Sequence, residues 1–242
     1  MSERIQKFLA NQGLASRREI ERWIEAGDIE VNGKVCQLGQ QVNGDEKIVV
    51  RGEAVRVGRT SEARVLIYHK PAGEIVTRSD PENRPTVFAN LPYLKTGRWI
   101  AIGRLDINTS GLLLLTTDGE LANNLMHPRN QIEREYKVRI LGEVTDKMLS
   151  RLQQGVRLED GLASLAILET QEGRGANSWY RVMLKQGRNR EVRRLWESQG
   201  VQVSRLIRTR FGSVTLPLDL NSGRYMELSA TKVKSLQALK SN

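Results

Sequence analysis

The run Gly103-Arg104-Leu105-Asp106-Ile107-Asn108-Thr109-Ser110-Gly111-Leu112-Leu113-Leu114-Leu115-Thr116 sets a carboxylate in a polar loop closed at both ends by glycine. On either side lie Trp99–Ile102 and Leu112–Thr116, two short apolar stretches that read as strands. A loop held between rigid strands is suited to carry a reactive group. Further out the same texture repeats. Val65–Tyr68, Ile132–Leu141, Ala163–Leu168 and Trp179–Leu184 also read as extended segments. Helical spacing recurs only at Leu121–Met126, at Asp146–Gln153 behind a Thr145 cap, at Arg190–Gln199 ending on Gly200, and at Thr231–Leu239. Strands without regular helical crossovers predict an α+β domain on a mixed or antiparallel sheet, rather than a doubly wound parallel one.

The first 57 residues follow a different pattern. Ser2 is positioned to cap a short helix with Ile5, Phe8 and Leu9 on one face and Gly13 at its end. Ser16 with Glu19 forms a capping-box pattern ahead of Ile20, Trp23 and Ile24, and Gly27 stops that helix. Asn32-Gly33 marks a hairpin between Ile29–Val31 and a return strand carrying Val35 and Leu38, and Ile48–Val50 reads as a further strand. The chain therefore divides into a small helix-pair-plus-strands unit at 1–57, a polar linker at 58–63, and a larger domain at 64–242.

Composition narrows the function classes. At 242 residues the chain has room for one large or two unequal domains. The four leucines Leu112 to Leu115 fall far short of a membrane span. The polar opening Met1-Ser2-Glu3-Arg4 does not resemble a signal peptide, so a cytoplasmic location is expected. A single cysteine, Cys36, allows no internal disulfide, and His69 and His127 without neighbouring thiols make no zinc set, so no metal is expected. The net charge of +10 points to a polyanionic partner, and it is unevenly spread: +1 over residues 1–60 and +9 over 61–242. Between Arg181 and Arg210 nine basic residues face only Glu191 and Glu197, whereas a merely solvated helix face mixes its signs.

Three clusters have chemistry to offer. Asp106, alone, reads as a turn-forming aspartate. With Arg104 two residues earlier it reads as a carboxylate kept ionised by a cation. Tyr136, in an alternating strand, is either a core residue or an aromatic platform for an extruded base. In Gly187-Arg188-Asn189-Arg190-Glu191-Val192-Arg193-Arg194-Leu195-Trp196, Asn189 is placed to cap a helix. Val192, Leu195 and Trp196 would face inward and the arginines outward toward phosphate. No glycine-rich phosphate cradle with its lysine is present.

Taken together these segments resemble the pseudouridine synthases, in the RsuA-type branch that acts on ribosomal RNA. The resemblance rests on Gly103-Arg104-Leu105-Asp106 with Gly111, on Lys70-Pro71-Ala72-Gly73, on Arg84-Pro85-Thr86-Val87-Phe88, on Arg134-Glu135-Tyr136, and on Gly187 to Leu195. Residues 4–50 resemble the S4 RNA-binding domain through Phe8-Leu9-Ala10, Ser16-Arg17-Arg18-Glu19 and Val31-Asn32-Gly33. Gln6 stands where many S4 domains carry aspartate. The arginine-rich third motif and Trp196 resemble members acting on the large ribosomal subunit.

The resemblance implies isomerisation of uridine to pseudouridine with no cofactor. Asp106 is then the essential carboxylate, Tyr136 the residue that stacks on uracil, and Arg193 the basic residue near the aspartate. Arg104 would orient the loop or displace the target base, and Val192 would form an apolar wall. Arg188, Arg190, Arg194, Arg17, Arg18 and Arg22 would hold RNA. The implied partner is ribosomal RNA, from the large subunit or one of its assembly intermediates, with no membrane and no obligate protein partner. The competing reading is a non-catalytic ribosome-associated RNA-binding or assembly protein, which explains the charge equally well.

Overall fold

The structure is a computed structural model that describes residues 2–55, 62–171 and 177–239, so residues 58–61 of the expected linker lie outside the described residues. The chain folds into two units, one made of Met1–Ala63, Pro92–Ile100 and Thr117–Gly119, the other of Arg64–Leu91, Ala101–Thr116 and Glu120–Asn242.

In the first unit the elements are β1 (Glu3–Arg4), α1 (Ile5–Asn11), α2 (Arg17–Glu25), β2 (Ile29–Val31), β3 (Lys34–Val35), β4 (Gln41–Val42), β5 (Ile48–Val50) and β6 (Glu53–Ala54). The Ser16 Oγ accepts from the Glu19 N–H at 3.1 Å, satisfying one of the free donors at the start of α2. Ile20 and Ile24 then turn inward and join Ile5, Leu9, Ile29 and Ile48 in one apolar core. At the hairpin tip Asn32 and Gly33 both have positive φ, 52° and 77°, as a type I′ turn demands. The strands run β3-β2-β5-β6. Ser2 does not cap α1. Arg4 stands at the N-cap in extended conformation without a side-chain bond, because residues 3 and 4 are drawn into pairing with Val42 and Gln41. Pro92–Ile100 belongs to this unit because Gly97 N–H donates to the Gln12 carbonyl at 3.3 Å.

The second unit contains β7 (Val65–Lys70), β8 (Ile100–Ile102), β9 (Thr109–Thr116), α3 (Gly119–Met126), β10 (Arg134–Leu141), α4 (Asp146–Gln154), β11 (Val156–Leu158) and β12 (Gly161–Ala163). It continues through β13 (Ala166–Gln171), β14 (Asn177–Leu184), α5 (Glu191–Glu197), β15 (Gln202–Phe211), β16 (Val214–Thr215), β17 (Tyr225–Glu227) and α6 (Ala230–Gln237). Its main sheet runs β13-β14-β10-β15-β9-β7-β17, with β8 on β9 and β16 on β15. The β15–β9 pair is parallel, whereas β13–β14, β14–β10, β10–β15, β9–β7 and β7–β17 are antiparallel. The leucine run of β9 is buried on both faces, as befits a central strand, and β10 alternates buried and less buried positions. Gly111 is required where β9 meets β15: its φ is +102°, and a Cβ there would come within 2.3 Å of the Arg208 carbonyl oxygen.

The expected strand Ala163–Leu168 is divided between the β11–β12 hairpin and the sheet strand β13. Thr145 caps α4 as expected, its hydroxyl accepting from Met148 N–H at 3.4 Å. Asn189 does not cap α5. Arg190 takes the N-cap in the left-handed region at φ 47°, and the buried Glu191 reaches back to accept from the Arg188 N–H at 3.0 Å. No helix among the described residues is long and apolar enough to cross a membrane.

Candidate active site

Asp106 lies in the β8–β9 loop, and the loop is held from below by a buried ammonium. Lys70, the last residue of β7, is fully buried, and its Nζ donates to the carbonyls of Pro71 (2.9 Å), Asp106 (3.1 Å) and Thr109 (2.8 Å). Asp106 O also accepts from Thr109 N–H at 3.0 Å, and Gly73 N–H donates to Ile107 O at 2.8 Å. Burial pushes Lys70 down to about 8, against the opposing pull of the Glu74 and Asp106 carboxylates. Glu74 is itself fixed, accepting from the Tyr68 hydroxyl at 2.7 Å and from Asn90 Nδ2 at 3.1 Å.

Arg193 reaches the same loop from α5. It is only 7% exposed, donating from Nη1 to Val203 O at 2.9 Å and from Nη2 to Asn108 O at 3.0 Å. Burial lowers its pKa, and the Asp106 charge acts in the opposite direction. The cations near Asp106 therefore come from residues 70 and 193. Arg104 is exposed and makes no ion pair with Asp106, contrary to the expectation from spacing: the loop backbone is drawn toward Lys70 and Arg193.

A cavity of about 460 Å³ opens above this loop. Asp106, Arg104, Tyr136, Arg188, Arg190 and Val192 all line it, bringing together residues of the three sequence clusters. Tyr136 is 9% exposed and sits on β10 directly across from Arg208 of β15. Arg193 and Arg194 do not line the cavity; Arg193 lies behind it as a brace. Arg17, Arg18 and Arg22 are exposed on α2 of the other unit, with Arg22 paired to Glu19 at 2.9 Å. Arg134, Glu191, Arg208 and Phe211 also line the cavity; the first two stand in the sequence motifs and the third in the basic run, but the sequence assigned none of the four a place in the site.

The basic run is more heterogeneous than its sequence suggests. Arg193 and Arg208 are buried, so not all its arginines project outward. Arg194 makes a bidentate pair with Asp160 at 2.9 and 2.7 Å, and Arg188 approaches the same carboxylate at 3.4 Å. Asp160 is thereby held below the usual carboxylate range, chiefly by Arg194. Arg190 faces Glu197 at 3.5 Å, and Arg210 is bound by Glu133 and Glu135. The exposed pairs are weak and exchangeable for phosphate oxygens, whereas the buried guanidinium groups are committed to the site.

The sequence is similar to known proteins along nearly its whole length. The family model for RNA pseudouridylate synthase matches residues 64–198, and that for the S4 domain matches residues 3–48. The ribosomal large subunit pseudouridine synthase B of Pseudomonas aeruginosa is 54% identical over 239 residues, covering 98% of this chain and 62% of that protein. The Escherichia coli K12 protein of the same name is 54% identical over 243 residues, covering 99% of this chain and 84% of that one. The chain thus spans less than two thirds of the Pseudomonas relative's length. A solved pseudouridylate synthase structure superposes with a TM-score of 0.66 at 25% identity, covering 96% of this chain and 99% of the other.

Proposed function

The chain belongs to the RNA pseudouridylate synthase family, and from that premise we propose that it isomerises uridine to pseudouridine in ribosomal RNA, with large-subunit RNA as its substrate. The observation that carries the proposal is one cavity of about 460 Å³, within the ~300–1,000 Å³ range of ligand pockets, that gathers Asp106, Tyr136 and a set of guanidinium groups. Substrate and product are isomers, so the chemical balance calls for no redox equivalent.

In this mechanism the target nucleotide leaves its stack, at a cost of a few kcal/mol offset by phosphate contacts. Asp106 is the catalytic carboxylate that assists cleavage of the C1′–N1 bond, from a loop whose backbone Lys70 and Arg193 fix in place. Tyr136 stacks on the freed uracil while it turns to present C5, and Val192 closes the apolar side. Arg104 orients the loop or displaces the base, and Arg188, Arg190 and Arg194 grip the flanking phosphates. Arg17, Arg18 and Arg22 extend that grip in the RNA-binding segment 1–57, with 58–63 as linker and 64–242 for the chemistry. A ribosomal substrate places this work in the cytoplasm.

Tritium release from C5 tests the reading, because rejoining through C5 expels its hydrogen and binding alone does not. The chain should release tritium from [5-³H]uridine-labelled large-subunit ribosomal RNA. Binding of that RNA without release would instead support the non-catalytic assembly protein.

A further inference from the structure

Arg134 and Arg208 stand in the wall of the cavity, and among the described residues neither forms an ion pair. Arg208 is 2% exposed. Its Nε donates to Leu112 O at 2.7 Å, while its Nη2 is buried with no hydrogen-bond partner. Arg134 is 8% exposed, with Nη1 shared between the carbonyls of Ile132 (2.7 Å) and Lys185 (2.9 Å). Both guanidinium carbons lie over the Phe211 ring, at 4.9 and 5.3 Å from its centroid. Gly187 leaves the room Arg134 occupies, since a Cβ there would lie 3.0 Å from its Cζ. Burial pulls both guanidinium pKa values down, and the charge of Arg208 adds to that effect on Arg134. Tyr136 and, after it, Glu191, itself 3% exposed with one oxygen unpartnered, act on Arg134 in the opposite direction.

Two buried cations without carboxylate partners are expensive to keep, and a neutral uridine does nothing to compensate them. The reaction itself produces the missing charge. When the C1′–N1 bond breaks, its electron pair stays with the base, which becomes an anion delocalised over N1, O2 and O4. The sugar's deficit is made good by Asp106, through a bond to C1′ or by accepting a C2′ proton. The anion lasts until C5 forms the new bond to C1′, as the Asp106–C1′ bond breaks or Asp106 returns the C2′ proton; the C5 proton then departs and N1 gains a proton. We propose that Arg208, with Arg134 beside it, stabilises this detached uracil anion across from Asp106. The proposal rests on the isomerase reading and deepens it: Asp106 serves the sugar side of the cavity and a pair of cations serves the base.

The test compares full-length wild type, Arg208→Gln, Arg208→Lys and Arg134→Gln on large-subunit ribosomal RNA transcribed with uridine or with 5-fluorouridine. Single-turnover conversion of N-glycoside to C-glycoside is read after nuclease digestion. Fluorine makes the base a more acidic leaving group, so it needs less help from the arginines. Arg208→Gln is expected to slow uridine conversion by ~10²–10³-fold, as loss of a preorganised charge donor does, and 5-fluorouridine conversion about tenfold less, with RNA affinity unchanged. Arg208→Lys keeps the charge and recovers part of the loss. Arg134→Gln shows the same substrate-dependent pattern and keeps the test decisive if the Arg208 variants do not fold. Equal losses on the two RNAs in every variant that folds overturn the proposal and leave the arginines structural. Wild type that converts neither RNA overturns the isomerase reading instead.

Discussion

Lys70→Met separates what a buried ammonium costs the fold from what it does for the Asp106 loop. In the folded protein its pKa stands at about 8, against 10.5 for the free side chain. Between those values the unfolded chain holds a proton that the folded chain has released, so stability rises with pH across that window. At ~1.36 kcal/mol per pKa unit the charged Lys70 costs about 3 kcal/mol below about pH 8, most of which is recovered between about pH 7 and about pH 10. Methionine does not titrate, so the variant lacks this slope. It also leaves the carbonyls of Pro71, Asp106 and Thr109 without the Lys70 donor, at about 1–3 kcal/mol for each one left unpaired. Near neutral pH the two effects oppose each other. At high pH the wild type keeps a neutral amine as donor, and its lead over the variant widens by about 2–3 kcal/mol. Urea unfolding of both proteins at the two pH values measures this directly, because the other titrations cancel in the difference. A stability difference that stays the same at both pH values refutes the reasoning.

Three further outcomes are expected. Gly111→Ala puts a methyl group 2.3 Å from the Arg208 carbonyl oxygen at a φ of +102°, and should lower stability by about 3 kcal/mol or more in calorimetry. Arg193→Met removes the donors to Val203 O and Asn108 O; kcat should fall by ~10²-fold or more while RNA affinity, read by filter binding, stays within about threefold. RNA affinity should fall steeply with salt, and replacing Arg17 and Arg18 with alanine should flatten the log–log slope by about 1–2 without changing which uridine is modified, as sequencing of the product RNA would show.

Local signals were legible where local physics decides. Ser16 with Glu19, Thr145 ahead of α4 and Asn32-Gly33 each satisfy free backbone groups or demand a particular turn, and each does so in the fold. Ser2 failed as a cap because a long-range strand pairing claims residues 3 and 4. The central strand β15 was hidden by its own chemistry. Val203, Leu206 and Phe211 turn inward, but Arg208 is buried among them, so the segment reads as part of a basic run rather than as an alternating strand. The same disguise concealed Arg208 as a lining residue.

At the site, Asp106, Tyr136 and Val192 were singled out from motif resemblance, and all three line one cavity. The electrostatic setting of Asp106 was legible only in part. Arg193 was expected near it from the motif resemblance and does act on it, but the buried Lys70 was not anticipated, and the neighbour that spacing favoured, Arg104, faces solvent. Burial of an ionisable group is a tertiary property, and the only hint of it in the sequence is a charged residue in line with apolar ones on a strand, as with Lys70 after Val65–Tyr68.

The central claim is that the Asp106 carboxylate breaks and remakes the glycosidic bond while the grip on RNA rests on other residues. Tritium release from [5-³H]uridine-labelled large-subunit ribosomal RNA, measured for wild type and for Asp106→Asn alongside RNA binding, tests it most directly. The account predicts release by wild type, none by the variant, and RNA affinities within about threefold of each other. Substantial release by Asp106→Asn would contradict it.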